Sequence, residues 1–259
     1  MSTGKAIKKW WNNASSYYQE VFMIPTNDIY YGPYCPTEKE LKIINISKIK
    51  NKKVLEVGCG GGQASVFLAK NKANCCGIDI SKKQIEYAKK LAQKNNVNID
   101  YHIGTAENLK FFKKEEFDIV LSIFSLQYIN NMDKCFREIK RVLKKGGKII
   151  FSLDHPFYSV ISPETMKICS DYNYSAVNRK IRTSDIIEKK EWGEGNKSEF
   201  IFYFRKISDI SNSLINAGLN IQKIIEPAFS DTKGPWDKIY SKKVAKHLSP
   251  TIIFIAKKE

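Results

Sequence analysis

The stretch VLEVGCGGGQASVFLA, residues 54–69, constrains this chain more than any other. Four glycines occupy five positions, 58 to 62, between an apolar run that reads as a strand and a segment of helical period. A corner without Cβ atoms tolerates positive φ and lets a ligand lie against the main chain. The question is what that corner admits.

The pattern around it is alternating. ANCCGIDI reads as a second strand, SKKQIEYAKKLAQKNN as a helix that Ser81 can cap, and VNIDYHIG as a third strand. FDIVLSIFS is nearly all apolar, as a parallel strand covered on both faces should be. MDKCFREIKRVLKKGG reads as an amphipathic helix stopped at Gly146 and Gly147, and KIIFSLDH as a fifth strand. Further on, ISDISNSLINAGLNIQKIIEP reads as a helix, a stop at Gly218 and a strand, and PTIIFIAKK as the last strand. The expectation is an α/β, Rossmann-like, doubly wound sheet with its site outside the carboxyl ends of the strands.

The spacing narrows the ligand. A dinucleotide fingerprint GxGxxG starting at Gly58 wants glycine at position 63, where this chain has Gln63. No GKS or GKT follows, so a phosphate-binding P-loop is excluded. Asp79 ends the second strand, 21 residues after Gly58, where a carboxylate can accept both hydroxyls of a ribose. Glycine corner and acid together point to an adenosine-type ligand without a pyrophosphate.

VLEVGCGGG, GIDIS, GTAENL, FDIVLSIFSLQYI and LKKGGKIIFS, in that order over residues 53–153, resemble the ordered motifs of the class I S-adenosylmethionine-dependent methyltransferases. The resemblance implies a seven-stranded sheet with the last strand antiparallel, S-adenosyl-L-methionine as cofactor, and an enzyme that transfers its methyl group. It places Glu56, Gly58, Gly60 and Gly62, with Gln63 beside them, against the methionine portion and ribose. Asp79 takes the ribose hydroxyls, and Ile80 packs beside the adenine. Thr105, Ala106 and Glu107 line the adenine end; many relatives carry Asp where this chain has Thr105. Ser122, Ile123 and Phe124 face the methionine part and the transferring methyl, while core packing accounts for Leu126.

Two flanking segments are expected to shape the acceptor pocket. Residues 1–48 would form a helical lid, with Trp11, Ala14, Tyr18 and Phe22 at helical spacing. Tyr18 would touch the cofactor, and Tyr30 and Tyr31 the substrate. Residues 49–155 would be the cofactor-binding core, 156–206 a substrate cap with a β-hairpin turning at GEGN, and 207–259 the completion of the sheet. In the cap, Trp192, Tyr203 and Arg205 are pocket candidates. The tail resembles a subgroup of small-molecule methyltransferases related to the ubiquinone/menaquinone type.

Displacement at a sulfonium needs no protonation of the leaving group, so alignment and dryness supply the catalysis, roughly 7–11 kcal/mol. A base is needed only where an O, N or C nucleophile must lose a proton. His155, at the end of the fifth strand, is the candidate base and substrate contact; its plainer reading is a turn residue ahead of Pro156.

Charge bears on the acceptor. The formal net charge is +16, yet only five of the 43 basic residues are arginine, the residue that bidentate phosphate and base recognition favours. Scattered lysine reads as a solvated surface, which favours a small-molecule acceptor; tRNA or another nucleic acid is the alternative. Against the latter, the fourth strand ends in SIFSLQ and not in the (D/N/S)PP(Y/F/W) motif of enzymes that methylate base amino groups. A third reading is a cofactor-binding protein without catalysis. The six cysteines form no CxxC pair and read as reduced packing residues with no metal. No apolar run approaches the roughly 20 residues of a spanning helix, and the basic first residues lack a signal peptide's apolar stretch, so a cytoplasmic address is expected.

Overall fold

A computed structural model of the chain describes residues 3–172, 179–182 and 200–259. Helix α1 (Thr3–Phe22) opens the chain and buries Ala6, Ile7, Trp10, Ala14 and Phe22 along one face. A short α2 (Glu38–Leu41) follows. The alternating region then gives β1 (Lys53–Val57), α3 (Gln63–Lys70), β2 (Asn74–Asp79), α4 (Lys82–Lys94) and β3 (Asp100–Ile103). It continues with β4 (Phe117–Ile123), α5 (Met132–Val142) and β5 (Leu143–Asp154). Strand β6 (Arg179–Arg182) pairs antiparallel with β7 (Ile201–Phe204), and the chain ends with α6 (Ile207–Asn216), β8 (Asn220–Ile225), α7 (Lys242–Ala245) and β9 (Thr251–Lys257).

Seven strands form one sheet in the order β3-β2-β1-β4-β5-β9-β8. Neighbours β1 to β5 run parallel, and β9 runs antiparallel to both β5 and β8. The last strand is thus the antiparallel one, as the motifs imply. Alternation along β1 sorts its side chains: Leu55 and Val57 join the core under α5 and α6, Val54 the core under α3 and α4. Phe151 of β5 stacks on Phe254 of β9, ring centroids 5.1 Å apart at 6°, and burying each such ring is worth about 1.5–3 kcal/mol. The Ser81 hydroxyl accepts the Gln84 N–H at 3.2 Å and starts α4 as expected.

One boundary differs from the sequence reading. Helix α5 stops at Val142, four residues before Gly146, and LKKGG belongs to β5. The carbonyls of Arg141 and Val142 accept the N–H groups of Glu115 and Glu116 at 2.9 and 2.8 Å, and the Lys258 ammonium takes the Leu143 carbonyl at 2.7 Å. These partners pull the chain out of the helix. Phe117 of β4 then faces Leu143 while Ile119 faces Lys148, so β5 bulges, and Gly146 at φ +75° serves the bulge instead of a helix stop.

The β6–β7 pair falls within the expected cap, whereas the GEGN turn and Trp192 lie outside the described residues. All six cysteines are free, and Cys35, Cys59, Cys75 and Cys135 are buried. No helix among the described residues is long and apolar enough to cross a membrane.

Candidate functional site

A cavity of about 400 Å³ opens at the carboxyl ends of β1, β2 and β4. This is where a doubly wound sheet leaves room for a ligand. The glycine corner forms one wall. Gly58 and Cys59 both donate to the Ile78 carbonyl, at 2.8 and 3.1 Å, which ties the loop to β2. Gly58 has φ +65°, and a Cβ there would lie 2.2 Å from the Ser125 hydroxyl oxygen. Gly60 faces the cavity, but Gly62 does not line it. A Cβ on Gly62 would sit 2.2 Å from the Tyr101 hydroxyl oxygen, so this glycine seats the loop on β3.

Asp79 stands at the centre of the wall. Its carboxylate accepts the Gly60 N–H at 2.9 Å and the Ser81 N–H at 2.8 Å, and burial raises its pKa against these donors. Glu56 also lines the cavity, yet one of its oxygens is bound by the Ser65 N–H, 2.9 Å away, and by the Ser65 hydroxyl. Burial pushes the Glu56 carboxyl up to about 7. Gln63 donates to Gln19 at 2.6 Å, and Gln19 donates to Gln84 at 2.8 Å. This amide chain pins α1 across α3 and α4, over the glycine corner.

Ile80, Thr105, Ala106 and Glu107 line the end beside β2 and β3. Glu107 accepts the Asn131 N–H at 2.6 Å, and the Thr105 hydroxyl accepts the Glu107 N–H at 3.3 Å. At the other end, Ile123 and Phe124 line the cavity. Ser122 is fully buried behind them, its hydroxyl 2.6 Å from that of Ser125, so it braces the wall without facing the space. Leu126 is core, as expected. From α1, Trp11 and Tyr18 turn toward the cavity, with Trp11 edge-on to Tyr18 and to Tyr128 at 5.4 Å each. Tyr30 lines it too.

Three expected substrate contacts do not reach the space. Tyr31 is fully buried and donates to the Glu38 carboxylate at 2.6 Å; its neighbour Tyr30 takes the cavity side. His155 is 3% exposed, with Nε2 2.8 Å from the Glu226 carboxylate and Nδ1 accepting the Phe157 N–H at 3.0 Å. Both ring nitrogens are engaged away from the cavity, which fits the turn-residue reading. Arg205 donates to the carbonyls of Ile129 and Asn130 at 2.5 and 3.1 Å, with its guanidinium 5.0 Å from the Tyr203 ring centroid. Ile129 and Asn130 line the cavity, so Arg205 supports that wall from outside, and Tyr203 packs beside it in the core.

Sequence reasoning missed Asp28 and Trp236, which also line the cavity. Asp28 accepts the Ile29 N–H at 2.9 Å and follows α1 by a few residues. Trp236 lies in the loop GPWDKI; the Asp237 carboxylate accepts the Tyr34 N–H at 2.8 Å, which fixes this loop against the 30s segment. A large aromatic residue in a Gly-Pro loop was the available signal. Asp28, Glu56, Asp79 and Glu107 all line the space, and no lysine, arginine or histidine does among the described residues.

Comparison with known proteins agrees with this geometry. Residues 55–151 match the methyltransferase domain family. The ubiquinone biosynthesis O-methyltransferase of Pelagibacter ubique is 41% identical over 110 residues, 42% of this chain and 45% of that protein. The chain therefore matches less than half the length of that curated relative. An uncharacterized protein of Haemophilus influenzae is 28% identical over 231 residues, 85% of this chain and 87% of the other. Among solved structures, an S-adenosylmethionine-dependent methyltransferase from Mesorhizobium loti has a TM-score of 0.64 at 19% identity, covering 82% of this chain and 93% of that one. The geranyl diphosphate C-methyltransferase of Streptomyces coelicolor also has a TM-score of 0.64, at 13% identity, covering 100% of this chain and 98% of that one. These two share the fold. Residues 55–151 thus match a methyltransferase domain, and the ordered motifs and the seven-stranded sheet are similar to those of the class I S-adenosylmethionine-dependent methyltransferases.

Proposed function

We propose that the protein transfers a methyl group from S-adenosyl-L-methionine to an O, N or C atom of a small-molecule acceptor. The observation that carries the reading is Asp79 clasping Gly60 at 2.9 Å on the wall of a cavity bounded by a Cβ-poor corner. That wall fits a nucleoside: a carboxylate for ribose hydroxyls, bare backbone beside it, and Ile80 and Ala106 for a flat base. When bound, the cofactor supplies an electrophilic methyl on a sulfonium. The chain's own task is to hold the acceptor in line and keep water out. Trp11, Tyr18 and Tyr128 give the space an apolar side, and α1 covers it. Alignment of this kind is worth roughly 7–11 kcal/mol.

A small acceptor is supported by the absence of cationic side chains among the described lining residues, because phosphate contacts dominate nucleic-acid affinity. The O-methyltransferase relatives make oxygen the first atom to test. In this reading residues 1–48 are the lid, 49–155 the cofactor core, 156–206 the acceptor cap and 207–259 the rest of the sheet, in a cytoplasmic protein. The deciding experiment is calorimetric titration of the full chain with S-adenosylmethionine and S-adenosylhomocysteine, for wild type and Asp79→Ala. Micromolar binding that the substitution abolishes supports the reading and justifies an acceptor screen with labelled donor. Binding of neither ligand by the wild type overturns it.

A further inference from the structure

Arg205, the residue after β7, is 6% exposed. A cation taken out of water is costly unless a carboxylate or a set of oxygens receives it. Buried Lys258 has both, the Glu115 carboxylate 3.2 Å away and the Leu143 carbonyl at 2.7 Å. Arg205 makes no ion pair among the described residues. Its Nη2 donates to the carbonyls of Ile129 and Asn130, and its guanidinium lies over the Tyr203 ring. Its Nη1 has no hydrogen-bond partner among the described residues. Two successive main-chain carbonyls are therefore the anchor of this buried charge.

Those carbonyls belong to a wall of the main cavity. Tyr128, Ile129 and Asn130 come just after β4, and all three line the space. The N–H groups of this stretch are used within the fold: Tyr128 donates to the Ser125 carbonyl and Ile129 to that of Leu126, each at 3.1 Å, and Asn131 to Glu107 at 2.6 Å. Arg205 takes the carbonyl side. Strand β7 meets the cavity a second time, because its Ile201 and Tyr203 pack on Ala6 and Ile7 of α1, and Ile7 lines the space. Behind the wall, a second cavity of about 20 Å³ adjoins Arg205, Gln127 and Asp154. Gln127 donates to Asp154 at 3.3 Å, while its Oε1 has no hydrogen-bond partner among the described residues.

We infer that Arg205 is a positioning residue: its guanidinium fork sets the carbonyls of Ile129 and Asn130 and thereby the wall against which a ligand in the main cavity packs. The affinity of the cavity then depends on β7, a strand of the proposed acceptor cap that does not itself touch the space. The inference rests on the reading of this cavity as the cofactor site for its ligand probe, and on the geometry of the fork for the rest. An ammonium has the charge but not the planar fork, so lysine cannot replace arginine here.

The test is calorimetry on the full chain with S-adenosylhomocysteine, together with amide hydrogen exchange of the ligand-free protein, for wild type, Arg205→Ala and Arg205→Lys. Arg205→Ala is expected to weaken S-adenosylhomocysteine roughly five- to thirty-fold, the range of a lost charge-assisted bond, and Arg205→Lys to remain weakened. Millimolar methylguanidinium should restore most of the affinity of Arg205→Ala, since the trimmed side chain enlarges the small cavity behind the wall, and ammonium should not. Exchange at the amides of Ile129 and Asn131 should rise about ten-fold in Arg205→Ala while those of Phe151 and Phe254 stay unchanged. Affinity within about two-fold of wild type in Arg205→Ala, full recovery by lysine, or a loss that methylguanidinium leaves untouched overturns the inference and leaves the donor reading intact. A uniform rise in exchange also overturns it, because the arginine would then serve general stability. Wild type that binds no S-adenosylhomocysteine overturns the cofactor reading, and the exchange pattern then decides the role of Arg205. If Arg205→Ala fails to fold, Arg205→Lys makes the comparison, and wild-type affinity and exchange in it overturn the inference.

Discussion

Asp79 and Glu56 are neighbouring carboxyl groups on one wall, and their surroundings give them different work. Asp79 spends its two oxygens on the N–H groups of Gly60 and Ser81, so it holds the glycine corner and the start of α4 at once. Asp79→Ala removes two charge-assisted bonds of about 1.5–3 kcal/mol each, and S-adenosylmethionine affinity should fall at least ten-fold in calorimetry. An affinity within two-fold of wild type would take Asp79 out of the site. Glu56 is pushed from 4.5 to about 7 because burial penalises its charged form more than Ser65 rewards it. The folded protein therefore binds this proton more tightly than the unfolded chain. Its stabilising effect is full below about pH 4.5 and is lost as pH rises through about 7, so the Glu56 contribution makes stability fall across that window. Glu56→Gln should flatten the slope of melting temperature against pH between 5 and 7; an unchanged slope would show that Glu56 does not titrate there.

At the scale of elements, the glycine corner works because Ser125 and Tyr101 come too close for a side chain on Gly58 and Gly62. Gly58→Ala meets Ser125 and also carries φ +65°, two separate penalties. Chemical denaturation should show a loss of about 1–3 kcal/mol for the backbone strain alone, with more from the clash. Ser125→Gly in the same chain should recover only the clash, and full recovery would mean the strain is negligible. The alternating strands, this corner, Asp79 and the Ser81 cap were all legible in the sequence, because each depends on residues close in the chain. What escaped was non-local. Trp236 reaches the cavity by stacking on Phe124, 112 positions away, and α5 ends early because Glu115, Glu116 and Lys258 take its last carbonyls. His155 has the residue type and place of a base, yet Glu226 on the tail after β8 turns it aside. Helix α1 rests on a similar distant link: Gln19→Leu strands the amides of Gln63 and Gln84, at about 1–3 kcal/mol each, and should speed cofactor release in stopped-flow fluorescence.

The whole molecule sets two fields against each other. The chain carries a net charge of +16, while the described cavity lining holds four carboxyl groups and no basic group. A lysine-rich exterior attracts polyanions without reading them, and such binding is governed by counterion release. Contacts with six to ten phosphates would lose about 10³- to 10⁵-fold in affinity between 50 and 200 mM salt. Binding of tRNA to this chain is therefore expected at 50 mM salt, to vanish near 200 mM, and to be indifferent to saturating S-adenosylhomocysteine. Indifference is the informative part, since a surface patch remote from the cavity has no reason to sense a ligand inside it. A specific nucleic-acid acceptor must instead insert its target atom beside the methyl donor, and the two ligands would then share the aromatic side of one cavity. Filter binding of tRNA at both salt concentrations, with and without S-adenosylhomocysteine, separates these cases. Affinity that persists at 200 mM and shifts when the cofactor site is filled would overturn the small-molecule reading and make the basic surface part of the substrate site.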